Sequence, residues 1–288
     1  MKGIILAGGT GSRLRPLTTV TSKQLLPVYD KPMIYYPLSV LMLAGIEDFL
    51  VVTSPEAEGS FRRLLGDGSQ WGLSIRFATQ PSPDGVAQAF LIGEEFLAGS
   101  GCALVLGDNL FYGHGFTARL REVVSRPTGA TVFAYHVADP RPFGVVTFDA
   151  ADRPIRIDEK PLEPRSNWAI TGLYFFDHRI VDLAKQVSPS DRNQLEITSI
   201  IQAYLDEGTL SVERFGRGFA WLDAGTFGSL VEASELVRVL EDRQGVKIGC
   251  PEEIAWEMSR IDDEQLERLA QPLLNSGYGE YLLNLIKR

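Results

Sequence analysis

The sequence predicts an α/β protein with a Rossmann-like, doubly wound and mostly parallel mixed sheet, followed by a helical carboxyl-terminal segment. Three observations predict this fold. Short apolar runs alternate with helical patterns up to residue 107, which is typical of βαβ units. Closely spaced extended segments follow from about residue 143. After Gly225 the pattern is helical to the end of the chain.

The first half of the chain predicts the parallel part of the sheet. Its elements are, in order, a strand at 3–7, a helix at 31–44, a strand at 48–53, a helix at 55–65, a strand at 73–79, a helix at 86–97 and a strand at 102–107. Gly45 and Gly66 mark the ends of the first two helices. Ligands of such sheets bind at the carboxyl ends of the strands. A glycine-rich turn and the tripeptide Gly107-Asp108-Asn109 both follow predicted strands, and are therefore expected at that edge.

The second half predicts further strands and then helices. The extended segments are GVVTFD, PIRIDEK, WAITGLYFF, LSVERF and FAWLDAG, with a helix over LEITSIIQAYLDEG between the third and the fourth. Helices are predicted at 226–244 and 251–286. We expect residues 1–225 to form the main domain and residues 226–288 to pack on it as part of one structural unit.

Composition limits the classes of function that the chain can serve. With 288 residues, of which 44% are hydrophobic, it can bury a sizeable core. Its formal net charge of −9 argues against a polyanionic partner such as nucleic acid, so any site for anions must be local. Cys102 and Cys250 imply no disulfide framework. No apolar run has the length of a membrane helix or a signal-peptide core, and we expect a cytoplasmic protein that does not bind membranes.

Residues 3–31 carry the most informative motif. An apolar strand leads into the turn Gly8-Gly9-Thr10-Gly11-Ser12, whose missing side chains let backbone N–H groups approach phosphate oxygens. Arg13 and Lys23 then add positive charge. The stretch is not a Walker loop, because no Gly-Lys-[Ser/Thr] follows, and it lacks the third glycine of a dinucleotide fingerprint. Taken alone, such a turn is equally consistent with a tight turn that binds nothing.

The full string resembles the signature of the sugar-nucleotide pyrophosphorylases, GGxGxRLxPLT followed by a lysine before a Pro-Val run. This chain reads GGTGSRLRPLT from Gly8 to Thr18 and KQLLPV from Lys23 to Val28. Within that superfamily, the segments SKQLLPVYDKPMIYYPLS, LLGDGSQWG, QPSPDGVAQAF and LVLGDNLFYGHG are similar to the glucose-1-phosphate thymidylyltransferases. The resemblance extends over nearly the whole chain. It implies Mg²⁺-dependent nucleotidyl transfer from dTTP to glucose 1-phosphate, giving dTDP-glucose and pyrophosphate at the start of dTDP-deoxysugar synthesis.

Two aspartates are candidates for a metal site. Asp108 ends an apolar run, and Asp223 follows a second one, Phe219-Ala220-Trp221-Leu222. An isolated aspartate in such a position is usually a cap or turn residue, but two of them could project from strand ends into one cleft. Two hard oxygen ligands suit Mg²⁺, whose other positions substrate phosphates and water can fill. The resemblance implies that these two aspartates hold the catalytic magnesium.

A charged pair marks a second candidate site. Glu159 and Lys160 follow the alternating segment 154–158, where charge runs usually form a solvated face. The resemblance reverses that preference: it implies that Glu159 hydrogen-bonds sugar hydroxyls and that Lys160 holds the sugar phosphate. Asn109, Gly144 and the backbone near Ile170 are the further expected contacts of the hexose.

Gln80 and Gly85 are the candidates for base recognition. A glutamine amide offers a donor and an acceptor, which matches the edge of thymine or uracil. Gly85 would leave room for the base, although Pro81–Gly85 on its own is more typical of a proline-rich turn. Gln24 is the candidate for the deoxyribose. The remaining residues of the expected nucleotide site are Gly8, Gly9, Gly11 and Ser12.

Three cations would neutralise charge in the implied reaction. Arg13 would hold the leaving pyrophosphate, Lys23 the α- and β-phosphates, and Lys160 the attacking sugar phosphate. No strong base is required, because a phosphate monoester is mostly dianionic at neutral pH. The resemblance further implies a homotetramer and possible feedback by a downstream dTDP-sugar.

Alternatives remain open at the level of sequence. The chain could use UTP or another sugar 1-phosphate, or it could be a non-catalytic sugar-nucleotide sensor. The sensor is disfavoured because the whole set of candidate catalytic residues is present. A glycosyltransferase is disfavoured because Gly107-Asp108-Asn109 is not an Asp-x-Asp metal motif.

Overall fold

Strands and helices alternate from the first residues onward. The structure is a computed structural model that describes residues 1–126 and 128–287. The strands in this part of the chain are β1 (Lys2–Ala7), β2 (Pro27–Val28), β3 (Lys31–Pro32), β4 (Asp48–Thr53), β5 (Ser74–Thr79), β6 (Cys102–Leu106), β7 (Asn109–Gly113), β8 (Ala130–His136), β9 (Gly144–Phe148), β10 (Pro154–Glu159), β11 (Trp168–Phe176), β12 (Leu210–Phe215) and β13 (Phe219–Asp223). The helices are α1 (Tyr35–Leu43), α2 (Glu58–Leu65), α3 (Gln88–Ile92), α4 (Glu94–Leu97), α5 (Phe116–Val124), α6 (Ile180–Gln186), α7 (Ile197–Asp206), α8 (Phe227–Gln244), α9 (Pro251–Glu257), α10 (Asp263–Ala270) and α11 (Tyr278–Ile286).

A mixed sheet of nine strands forms the frame of the described residues. Strands β5, β4, β1 and β6 lie side by side and parallel. β11 runs antiparallel to β6 and, at its start, to β9, while β8 pairs along its other edge. β10 pairs antiparallel with β9, and β12 pairs parallel with β8. The predicted α/β fold with a mixed sheet is confirmed, and most of the parallel pairing lies in the amino-terminal half.

Helices cover both faces of this sheet. Ile4 and Ile5 of β1 are both fully buried, but they belong to different hydrophobic clusters. Successive side chains of a strand point to opposite faces, so each cluster lies on its own face. Residues of α1, α2, α5 and α9 join the cluster of Ile5, and residues of α3, α6 and α7 join that of Ile4. Burial on both faces explains why the parallel strands read as continuous apolar runs.

The strands predicted in the first half match β1, β4, β5 and β6, but the helices differ in their bounds. The helix expected at 31–44 begins only at Tyr35, because Lys31 and Pro32 pair with Pro27 and Val28 in the β2–β3 hairpin. The helix expected at 55–65 begins at Glu58.

The helix expected at 86–97 is divided into α3 and α4 at Gly93. A side chain at this position would come within 3.0 Å of the Ala89 carbonyl oxygen and of Ile4.

The carboxyl-terminal segment is helical, as predicted, but the helix expected at 251–286 is interrupted. Ser259, with φ +56°, follows α9, and Gly277, with φ +77°, precedes α11. Both angles lie in the left-handed region, which an α-helix does not continue through.

The same segment shares hydrophobic clusters with the rest of the chain. Ala233 and Val237 of α8 pack with Val28 and Met33, and α9 contributes Ile254 to the cluster under α1. The division at 225/226 stays a prediction.

The sequence implied no disulfide framework. Both cysteines are buried and free in the structure. Within residues 1–126 and 128–287, no helix combines the length and the apolar character needed to cross a membrane.

Candidate active site

A cleft of about 480 Å³ opens where the carboxyl ends of β1, β5 and β6 meet those of β10 and β13. Parallel sheets bind ligands at this edge. The sequence-predicted residues that line the cleft are Gly8, Gly9, Arg13, Gln80, Gly85, Asp108, Asn109, Gly144, Glu159, Lys160, Ile170 and Asp223. The predicted residues outside the lining are Gly11, Ser12, Lys23 and Gln24.

The turn after β1 needs its glycines for reasons of backbone geometry. Gly9 has φ +101° and Gly11 has φ +57°, a region that strongly favours glycine. A side chain at Gly8 would come within 2.6 Å of Gln80 Oε1. Thr18 Oγ1 donates to the Gly11 carbonyl oxygen over 2.7 Å and fastens the turn. The turn thus presents backbone to the cleft, and its contact with phosphate stays a prediction.

Arg13 reaches the cleft from the short helical turn Ser12–Leu14, which the fully buried Leu14 anchors. Its guanidinium lies against Gly225, where a side-chain carbon would be 2.9 Å from Arg13 Nη2. Gly225 therefore leaves the space that lets this cation approach Asp223.

Asp108 is a carboxylate held from two sides. Lys23 donates from Nζ to Oδ2, and Asn109 donates from Nδ2 to Oδ1 over 2.9 Å. Burial raises the pKa of Asp108, but the charge of Lys23 and these hydrogen bonds outweigh it and hold the pKa below its usual value. Asp108 is therefore ionised at neutral pH, and Lys23, predicted to contact phosphates, is its partner in this structure.

Asp223 lies beside Asp108 because of strand pairing. β7 and β13 pair antiparallel with Asp223 opposite Asn109, and the Ala224 amide donates to the Asp108 carbonyl oxygen over 2.9 Å. Burial, followed by the negative charge of Asp108, raises the pKa of Asp223 to about 6 against the opposing charges of Arg13 and Lys23. Two half-buried carboxylates that repel each other when both are ionised suit a divalent cation.

Asn109 uses its side chain within the protein. It is 2% exposed, and its Oδ1 accepts hydrogen bonds from the Gly172 amide over 3.0 Å and from Trp221 Nε1 over 2.6 Å. A side chain at Gly172 would come within 2.6 Å of that oxygen. The amide therefore joins β7, β11 and β13 behind Asp108, and its predicted contact with the sugar stays a prediction.

A further part of the cleft lining is built around Glu159. Its Oε1 accepts from Arg192 Nη2 over 2.7 Å, and its Oε2 accepts from Thr198 Oγ1 over 3.0 Å. Lys160 Nζ lies 3.7 Å from Glu159 Oε1 and is half-exposed, and Gly144 leaves room for Thr198.

Sequence reasoning missed Arg192 and Thr198, although both line the cleft. Arg192 lies in a polar turn and Thr198 at the start of α7, where neither residue type is unusual. Only the tertiary structure brings Arg192 and Thr198 to Glu159.

Gly85 has a backbone reason in addition to the predicted one. Its φ is +114°, and a side chain there would come within 2.4 Å of the Leu195 carbonyl oxygen. The close approach of two backbone segments is sufficient to require glycine, and room for a base beside Gly85 stays a prediction.

Gln24 is 3% exposed, accepts from Ser22 Oγ over 2.7 Å and donates to the Gly8 carbonyl oxygen over 3.4 Å. It supports the glycine-rich turn, and its contact with a deoxyribose stays a prediction.

Comparison with known proteins places this geometry in context. The chain matches the family described as Nucleotidyl transferase over residues 2–239. The glucose-1-phosphate thymidylyltransferase of Neisseria meningitidis serogroup A is 58% identical over 288 residues, covering 100% of both chains. That of Mycobacterium tuberculosis is 53% identical over 288 residues, again covering 100% of both.

A solved structure is also similar. A Bacillus anthracis chain, assigned as a glucose-1-phosphate thymidylyltransferase and crystallised with sucrose, is 40% identical with a TM-score of 0.77, and the match covers 83% of this chain and 95% of that one.

Proposed function

The chain belongs to the nucleotidyl transferase family, and we propose that it transfers the thymidylyl group of dTTP to α-D-glucose 1-phosphate. The observation that carries this proposal is full-length identity of 53–58% to glucose-1-phosphate thymidylyltransferases. The cleft supports it, because its lining brings together a glycine-rich turn, a carboxylate pair, and the cations Arg13, Lys160 and Arg192.

The reaction requires alignment and charge neutralisation rather than a base. An oxygen of glucose 1-phosphate attacks the α-phosphorus of dTTP, the bond from that phosphorus to its bridging oxygen breaks, and pyrophosphate leaves with the electron pair. Arg13 neutralises the leaving group, and Lys160 and Arg192 orient the nucleophile. Lys23 is released from Asp108 to the α- and β-phosphates.

Asp108 and Asp223 fit Mg²⁺. The ion takes one or two protein carboxylates and completes its shell with substrate phosphates and water, and the charges of Arg13 and Lys23 do not offset the burial of Asp223 and its repulsion by Asp108. Asp108 and Asp223 would hold Mg²⁺, which when bound would neutralise charge on the substrate phosphates. The proposal therefore includes Mg²⁺ as the cofactor.

The direct test is pyrophosphate release with dTTP, UTP, dCTP and dATP, each combined with several sugar 1-phosphates at one Mg²⁺ concentration. We expect dTTP with glucose 1-phosphate to give the highest kcat/KM. UTP should be poorer by about 10- to 200-fold, because pockets discriminate a single methyl group only weakly. A preference for UTP or ATP would overturn the thymidylyl assignment, and no release with any pair would favour the non-catalytic sensor.

Assembly and setting form the rest of the proposal. We propose a cytoplasmic homotetramer that supplies dTDP-glucose for dTDP-deoxysugar synthesis and responds to a downstream dTDP-sugar. Light scattering coupled to size exclusion tests the assembly, and a monomeric mass would contradict it.

A further inference from the structure

Gln80 is the last link of a short chain of hydrogen bonds that begins at a carboxylate. Gln88, the first residue of α3, donates from Nε2 to Asp84 Oδ2 over 3.0 Å. Gln80 in turn donates from Nε2 to Gln88 Oε1 over 2.6 Å and to the Gly85 carbonyl oxygen over 3.2 Å. Two acceptors thus surround the amide nitrogen of Gln80.

The direction of this chain is determined by the chemistry of its first member. A carboxylate only accepts hydrogen bonds, so it draws Gln88 Nε2 toward itself and leaves Gln88 Oε1 facing Gln80. Turning the Gln80 amide round would place its oxygen against two other acceptors. Gln80 is 6% exposed, so water would compensate poorly for the lost bonds.

The atom of Gln80 that remains for a ligand is therefore its acceptor, Oε1. This oxygen faces the glycine-rich turn, since a side-chain carbon on Gly8 would be 2.6 Å from it, and both residues line the cleft. Thymine and uracil carry a donor, N3–H, on their pairing edge, whereas N3 of cytosine is an acceptor. A fixed acceptor attracts the first two bases and repels the third.

We propose that Gln88 and Asp84 are positioning residues for base selection, which hold Gln80 so that it presents an acceptor and thereby select nucleotides with a donor at N3. This inference rests on the proposed function, in which Gln80 contacts the base of the nucleotide. It also changes the expected role of Gln80, because both amide hydrogens are used within the protein and only the oxygen reads the base.

The test measures binding of dTTP and dCTP to the full-length protein by isothermal titration calorimetry, with turnover measured separately. Gln88→Leu keeps the approximate volume but removes both hydrogen bonds, so the Gln80 amide can turn. We expect the ratio of the dCTP to the dTTP dissociation constant to fall by about tenfold or more. The dissociation constant of glucose 1-phosphate should stay unchanged.

A rescue variant separates orientation from simple packing. Gln88→Glu combined with Asp84→Asn restores a chain of the same direction, because the new amide donates to the new carboxylate and that carboxylate accepts from Gln80. Its selectivity should return to that of the wild type. Gln186→Leu is the matched control, since Gln186 is an exposed glutamine that donates to a helix carbonyl oxygen outside the cleft.

The outcomes are distinct. Unchanged selectivity in Gln88→Leu, or a double variant as unselective as Gln88→Leu, overturns the inference. If Gln88→Leu does not fold, Gln88→Lys tests the same point, because it offers Gln80 only donors and should lower the ratio likewise. Equal binding of dTTP and dCTP by the wild type also overturns the inference. Selective dTTP binding without turnover would overturn the proposed function alone.

Discussion

Asp108 and Asp223 face one cleft, but the pKa of Asp108 is lowered and that of Asp223 is raised. The ammonium of Lys23 holds Asp108 ionised, whereas burial and the charge of Asp108 raise the pKa of Asp223 to about 6. In the metal-free protein, the charged form of Asp223 beside Asp108 therefore lowers the free energy of unfolding. The residues proposed to hold the metal therefore lower the stability of the fold.

Asp223→Asn should separate these two effects. An amide keeps the shape without the negative charge, so we expect turnover to fall by about 10²-fold or more. Asp108→Asn should behave alike. Steady-state kinetics at several Mg²⁺ concentrations check this, and near-normal turnover at modest Mg²⁺ would show that the aspartate does not bind the metal.

Asp223→Asn should also be more stable than the wild type in EDTA, and only at higher pH. The folded-state pKa of Asp223 lies above its usual value of 3.8, so its unfavourable contribution to folding is absent below about pH 4 and grows as the pH rises through 6. Urea unfolding at pH 4 and pH 8 measures the difference. Asp242→Asn, which alters an exposed pair with Arg238, is the control.

Arg13 and Lys160 should affect different substrates, because Arg13 lies against Gly225 beside Asp223, whereas Lys160 lies beside Glu159. Arg13→Ala should raise the KM for dTTP, whereas Lys160→Ala and Arg192→Ala should chiefly raise that for glucose 1-phosphate. Titration of each substrate at saturating concentration of the other gives the comparison. The reverse pattern would mean that the roles of Arg13 and Lys160 have been exchanged.

At the scale of elements, a buried charge network joins the β2–β3 hairpin to α8. Glu241 accepts from Lys31 Nζ over 2.7 Å and from Lys247 Nζ over 2.8 Å, and it also accepts from the Ile248 amide. Lys31 is 2% and Glu241 6% exposed. The hairpin that shortens α1 is therefore attached to the carboxyl-terminal segment by a desolvated ion pair.

Glu241→Gln should lower the free energy of unfolding by about 1–3 kcal/mol, because the buried Lys31 loses the charge of one carboxylate partner while Asp30 still pairs with both lysines. Glu264→Gln makes the same chemical change in an exposed pair with Arg268 and should cost less than about 1 kcal/mol. Chemical denaturation of both variants provides the measurement. Equal effects would show that the network is not effectively buried.

At the scale of the whole molecule, the carboxyl-terminal helices do not form a separate body. Their side chains share clusters with β2, with the residues before α1 and with α1 itself, while Leu266 and Leu282 add a smaller cluster of their own. Separate cooperative units would need separate cores.

Differential scanning calorimetry should therefore show one unfolding transition. Leu266→Ala, which empties part of the smaller cluster, should cost about 2–5 kcal/mol and lower the midpoint of that whole transition. Two resolved transitions, with only one of them moved by the substitution, would instead support an independent unit at 226–288.

The sequence alone determined the α/β class, the parallel strands of the first half and twelve of the residues that line the cleft. These features depend on local patterns, such as apolar runs, glycine-rich turns and carboxylates at strand ends, and on motifs that resemble those of a known family. Tertiary structure decided the rest. Lys31 and Pro32 leave the predicted helix in a hairpin that the buried Lys31–Glu241 pair attaches to α8, and Arg192 and Thr198 reach Glu159 only through packing. Gly85 is required by Leu195, more than a hundred positions away. Pairing and close approach between distant segments depend on the folded path of the chain, which leaves no local pattern in the sequence.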